Sequence, residues 1–155
     1  MALTQVKTKI EQARGKLKLL PGEEVIGGCS SADGATTQHV RATDLGGHVG
    51  RVLARHRVGR PPDHRGKAHR FPSGSFLVCL TTRHLLVTNI STPSNNPTRT
   101  IAAYPKDDVI AIISDDGDDD GLNRLGIAFS DGTAVRFPIC HDATSSCLPE
   151  LFLEW

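Results

Sequence analysis

The densest run of possible metal ligands in the chain is Asp115-Asp116-Gly117-Asp118-Asp119-Asp120-Gly121. Asp116, Asp118 and Asp120 before Gly121 match the first half of a calcium loop, where alternate side chains on a tight turn converge oxygens on a hard cation. The second half fails, because the twelfth position falls on Ile127, where a bidentate glutamate is needed, and no helix pair flanks it. A solvated acidic hairpin loop, which discourages strand-edge association or docks a basic segment, fits the run better. A calcium-responsive module is a third functional class, behind the two argued below.

Histidine and cysteine raise a zinc reading, since zinc accepts imidazole nitrogen and thiolate sulfur. His39, His48, His56, His64 and His69 are spaced 9, 8, 8 and 5 apart, which forms no compact ligand pair, and the surrounding arginines repel a cation. Cys29, Cys79, Cys140 and Cys147 are scattered without a Cys-x-x-Cys pair, so they read as reduced core thiols. Cys140-His141-Asp142 has the residue types of a nucleophile, base and orienter, but adjacent side chains in an extended segment point to opposite faces. No Gly-x-Ser-x-Gly, Walker or dinucleotide motif occurs. The sequence therefore predicts no enzyme, no bound metal and no cofactor.

What remains is charge. With 18 basic and 17 acidic side chains the formal net charge is only +1, yet the charges are segregated. Residues 1–18 carry Lys7, Lys9, Arg14, Lys16 and Lys18 against Glu11, a net of +4. Residues 41–70 carry Arg41, Arg51, Arg55, Arg57, Arg60, Arg65, Lys67 and Arg70 against Asp44 and Asp63, a net of +6. Such blocks create local potential even when the total is near zero, and they attract an anionic partner or the chain's own acidic surface. The candidate binding residues are Arg51, Arg55, Arg57, Arg60, Arg65, Lys67 and Arg70 in this basic arm. Lys7, Lys9, Arg14 and Lys16 on the N-terminal segment join them. The partner is read as a protein or an anionic membrane surface; sequence-independent nucleic-acid binding through the same arm is the alternative. Against base readout, no aromatic residue lies between Arg41 and Arg70.

These residues need a scaffold. A chain of 155 residues, 38% hydrophobic, makes one domain of ordinary size. With only seven aromatic residues, Leu, Val and Ile should supply most of the burial. Leu3, Val6, Ile10, Ala13 and Leu17 recur every three or four residues, which predicts an amphipathic helix over 1–19, stopped by Pro21-Gly22. Its stripe would pack on the domain or form a homo-oligomer contact, with lysines snorkelling at its borders. About seven short strands follow: 24–29, 76–80, 84–90, 99–104, 109–114, 122–129 and 133–139, the last two joined by Ser130-Asp131-Gly132, a hairpin signal. Residues 31–74, rich in Gly, Arg, His and Pro, read as a basic insertion and in large part a mobile loop. Leu148, Leu151, Phe152 and Trp155, at i, i+3, i+4 and i+7, predict a closing helix that tolerates Pro149 in its first turn.

Leu20-Pro21-Gly22-Glu23-Glu24-Val25, the hairpin Phe76-Leu77-Val78-Cys79-Leu80-Thr81-Thr82-Arg83-His84-Leu85-Leu86-Val87, the acidic lead Asp107-Asp108 into Val109-Ile110-Ala111-Ile112, the Ser130-Asp131-Gly132 turn and the closing helix occur in that order. The arrangement resembles bacterial pleckstrin-homology-like and GRAM-like domains over roughly residues 20–30 and 74–155. That resemblance implies a mainly β fold: a strongly bent seven-stranded barrel with a C-terminal capping helix, here with an extra N-terminal amphipathic helix. It implies a non-enzymatic adaptor, a scaffold for binding proteins, peptides or lipid headgroups, and does not extend to the insertion or the N-terminal helix. The domain is thus placed at 20–155. The first residues never build the apolar run of a signal peptide, and no stretch approaches the roughly 18 apolar residues of a membrane span. A cytoplasmic location, peripheral to the inner face of the membrane, is expected.

Overall fold

The computed structural model describes residues 19–31, 37–41, 66–72, 74–90, 97–114, 124–139, 148–153 and 155. They form a mainly β fold of two four-stranded antiparallel sheets. In chain order the strands are β1 (Val25–Ser30), β2 (Gln38–Arg41), β3 (Phe76–Thr81), β4 (His84–Ile90), β5 (Pro97–Pro105), β6 (Val109–Ser114), β7 (Arg124–Phe129) and β8 (Thr133–Pro138), with helix α1 (Leu148–Leu153) last. The first sheet is ordered β1-β3-β4-β5 and the second β2-β8-β7-β6. A 3-10 turn at Lys106–Asp108 carries the chain from one sheet to the other, and an isolated bridge between Ser31 and Ile139 ties them at another corner.

Two expectations are corrected. The described strands number eight, not seven, the extra one being β2 inside the segment read as irregular. It was hidden because Gln38-His39-Val40-Arg41 offers one apolar side chain, as suits an edge strand paired only with β8. Nor do the described ladders join into one closed barrel; they remain two sheets facing each other across a shared core. The proposed N-terminal helix and the Asp115–Asp120 loop lie outside the described residues.

The inner core follows from strand alternation. Phe76, Val78 and Leu80 of β3, Leu85 and Val87 of β4, Leu125, Ile127 and Phe129 of β7, and Val135 and Phe137 of β8 share one cluster. Although aromatics are few, all seven lie in this cluster or against it. Its centre is Phe71, which meets Phe76 edge-on at 5.5 Å and stacks with Phe137 at 5.6 Å. Tyr104 and Phe129 close the group at 4.5 Å. Leu151, Phe152 and Trp155 pack on the same core, as the period of the last residues predicts.

The two pieces that carry the family resemblance are clasped together. Glu23, 7% exposed, accepts hydrogen bonds from the Leu20 amide at 2.9 Å and from the Thr81 hydroxyl, and lies 2.8 Å from His84 Nδ1. Burial raises its pKa, but these donors outweigh burial and hold the carboxyl below its ordinary value. On the other side of Thr81, its carbonyl accepts the Trp155 indole N–H at 2.7 Å. The Pro-Gly-Glu turn and the C-terminal residue are therefore fastened to one hairpin.

Phe71 belongs to the segment that composition assigns to a loop, yet it is 4% exposed. Phe71→Ala should cost about 3–5 kcal/mol, as for a buried aromatic, in urea unfolding followed by Trp155 fluorescence. A loss within about 0.5 kcal/mol, as for a surface substitution, would contradict its central position.

Candidate functional site: the root of the basic segment

Of the candidate residues, Lys67 and Arg70 are described; Arg51, Arg55, Arg57, Arg60 and Arg65 lie outside the described residues, as do Lys7, Lys9, Arg14 and Lys16. The basic segment is fixed to β8 at both ends. It leaves at Arg41, whose ladder partner in β8 is Thr133. It returns at Gly66 and the 3-10 turn Lys67–Arg70, on the same Thr133.

The β7–β8 turn builds the anchor. Ser130-Asp131-Gly132 closes with Gly132 at φ +86°, a left-handed position that glycine adopts without strain, and the Gly132 amide bonds the Phe129 carbonyl at 3.0 Å. One oxygen of Asp131 accepts the Thr133 amide at 3.0 Å and the Thr133 hydroxyl at 2.5 Å. The other accepts the Lys67 amide at 2.7 Å. Thr133 Oγ1 in turn accepts the Ala68 amide at 3.2 Å. Gly66 fits because it has no side chain: a Cβ there would sit 2.2 Å from Thr133 Cγ2 and 2.8 Å from Asp131 Oδ2. The flanks meet a second time where the Thr37 hydroxyl, just before β2, donates to the Pro72 carbonyl at 2.7 Å.

Beside this anchor is an open cleft of about 400 Å³ between the 3-10 turn and the end of β5. Lys67, Arg70, Tyr104, Pro105, Asp108 and Asp131 line it. Tyr104 donates to the Lys67 carbonyl at 2.6 Å. Burial pushes the phenol pKa up, Arg70 pulls it down, and Asp131 and Asp108 push it up again, so it remains a neutral donor. Lys67 Nζ is 3.2 Å from Asp108, with roughly a third of each side chain exposed, so the pair contributes at most about 1 kcal/mol. Two cations face two carboxylates. The cleft by itself is electrostatically balanced, and its chemistry is that of an anchor rather than of an anion pocket.

The Thr81 hydroxyl, the His84 ring and the Glu23 carboxylate meet, with Glu23 bonded to both of the others; among the described residues no three His, Cys, Asp or Glu side chains meet to hold a metal. Cys29 and Cys79 are buried and outside any disulfide, and burial pushes the Cys79 thiol up to about 12. Cys140-His141-Asp142 and the three histidines of the arm between 48 and 64 lie outside the described residues. No helix among the described residues is long and apolar enough to cross a membrane. No protein-family model matches the chain, and no curated protein matches it closely enough to show kinship.

Sequence reasoning missed Asp131, Thr133, Gly66, Tyr104 and Asp108 as parts of this site. Ser130-Asp131-Gly132 was legible as a turn and Asp107-Asp108 as a strand lead, but nothing in their spacing links them to Lys67. The link is a tertiary hydrogen bond across 64 positions.

Asp131 also carries a pH dependence. Burial raises its pKa, but the bonds from Thr133 and Lys67 prevail and hold it below the ordinary 3.8. A carboxyl depressed on folding stabilises the fold above its unfolded pKa, and that stability is lost as pH falls through the folded pKa. Asp131→Asn should therefore cost about 1.5–3 kcal/mol in urea unfolding at pH 7, the range for hydrogen bonds to a charged group. The difference from the native chain should shrink as pH falls below 3.8. An equal difference at both ends of that range would contradict the charged role of Asp131.

Proposed function

We propose that the chain is a non-enzymatic binding module on a pleckstrin-homology-like scaffold, and that its basic segment engages an acidic surface, of a membrane or of a partner protein. Support for the scaffold comes from two antiparallel sheets over one core, with a C-terminal helix packed on that core and the Pro-Gly-Glu turn fastened to the β3–β4 hairpin. The observation that carries the binding reading is the common root: Arg41 and Gly66–Ala68 meet at Thr133, so residues 42–65 begin and end at one place. Arg51, Arg55, Arg57, Arg60 and Arg65 fall in the sequence between those two ends, with Lys67 and Arg70 at the return. Multiple cations confined to one region act on one surface, each contributing on the order of 1 kcal/mol at an anionic membrane. Because Lys67 is already paired with Asp108, the larger share of the attraction is assigned to the five arginines.

Sequence-independent nucleic-acid binding uses the same charges but differs in its salt law, with affinity falling linearly on a log–log plot against salt. Co-sedimentation with phosphatidylserine-rich vesicles, set against pure phosphatidylcholine vesicles and duplex DNA, separates the two. The native chain should sediment with the anionic vesicles. The variant with all five arginines changed to alanine should lose that binding to baseline while keeping its thermal unfolding midpoint. Vesicle binding unchanged in the variant would remove the segment from the mechanism, and binding to DNA alone would replace the membrane reading.

A further inference from the structure

The cleft beside the root brings side chains of both signs to one opening of about 400 Å³, a volume within the range of small-molecule sites. Arg70 is exposed at the end of the returning turn, and its planar guanidinium offers five donors suited to a two-oxygen grip on a phosphate or carboxylate. Asp108 keeps acceptor capacity: Lys67 Nζ meets its Oδ1 at 3.2 Å, while 30% of the Asp108 side chain stays exposed and a carboxylate has about four acceptor sites. Asp131 differs, because both of its oxygens already accept bonds from Lys67 and Thr133, so it acts on a ligand through its charge. The Tyr104 phenol feels Arg70, Asp131 and Asp108 together, which sets the opposite charges around one point of the cleft.

These charges select a ligand class. A simple anion gains from Arg70 but is repelled by Asp108 and Asp131, and a simple cation meets the reverse. A ligand with both charges a few bonds apart gains from each side. Its cation must also carry N–H groups to bond a carboxylate, and a primary ammonium supplies three where a quaternary ammonium supplies none. We infer that the cleft takes a phosphodiester bearing a primary ammonium, the chemistry of an ethanolamine phospholipid headgroup or of its soluble glycerol ester, with the phosphate on Arg70 and the ammonium on Asp108. The membrane source rests on the function proposed above, in which net charge draws the chain to an anionic surface. The cleft adds a choice among headgroups of equal charge.

Vesicles with one fixed fraction of phosphatidylglycerol, filled out with either phosphatidylethanolamine or phosphatidylcholine, carry the same surface charge and differ in the N–H donors of the filler. The native chain should co-sediment roughly threefold or more tightly with the ethanolamine vesicles, the worth of one net hydrogen bond. Arg70→Gln and Asp108→Asn should each bring that ratio to one; should Asp108→Asn lower the thermal unfolding midpoint, Arg70→Gln decides. In a second arm the full chain is titrated with glycerophosphoethanolamine and with glycerophosphocholine, read on the Lys67 and Arg70 amides by NMR, and saturable shifts are expected with the first alone. Those shifts without a vesicle preference would assign the cleft to a soluble ester of the same chemistry. Those shifts in a chain that binds neither vesicle would remove the membrane reading and keep the cleft. Equal vesicle binding with no saturable shift, equal shifts with the two esters, or a vesicle preference retained in both variants would overturn the inference.

Discussion

The carboxylate of Asp131 is the constraint on which the arrangement of the basic segment depends. It accepts the Lys67 amide with one oxygen and holds Thr133 with the other, and Thr133 bonds the Ala68 amide while facing Arg41 across the ladder. Closing a segment as long as 42–65 costs about 3 kcal/mol in chain entropy, beyond a constant. Hydrogen bonds to a charged group contribute about 1.5–3 kcal/mol each, and full burial of a Phe side chain about 1.5–3 kcal/mol. The Asp131–Lys67 bond and the burial of Phe71 together match or exceed this length-dependent cost, whereas either one alone at most equals it.

Phe71 and Asp131 divide the task. The ring enters the core among Phe76, Tyr104, Phe129 and Phe137, fixing where the returning chain must lie. The carboxylate then sets the exit direction of the backbone at Gly66–Lys67, where the absence of a Cβ permits close approach. A second clasp of similar chemistry, Glu23 with Thr81 and His84, fastens the start of the domain to the β3–β4 hairpin. Both use a carboxylate kept ionised by donors that outweigh its burial. Both acids thus fasten chain segments to the sheets.

Much of the scaffold was legible in the sequence because short apolar runs and turn chemistry are local. The apolar runs Phe76–Thr81 and His84–Ile90, the Ser130-Asp131-Gly132 turn and the stripe ending at Trp155 each sit where their patterns place them. Two features were not local. Strand β2 has almost no apolar content and exists because β8 offers it an edge. Phe71 lies beside a run of Arg, His and Gly, so composition assigns it to a loop, while the core claims it as its centre. The site was less legible than the fold. Lys67 and Arg70 were identified by charge alone, and charge could not reveal that Lys67 faces Asp108 or that Asp131 holds its amide.

The central claim is that the basic segment acts as one site because its two ends share a root. An amide NMR titration of the full chain with phosphatidylserine-rich nanodiscs tests it most directly. The account predicts changes confined to residues 42–65 and the root, namely Arg41, Gly66–Arg70 and Asp131–Thr133. Changes centred on the β3–β4 hairpin and Trp155, with the root silent, would contradict it.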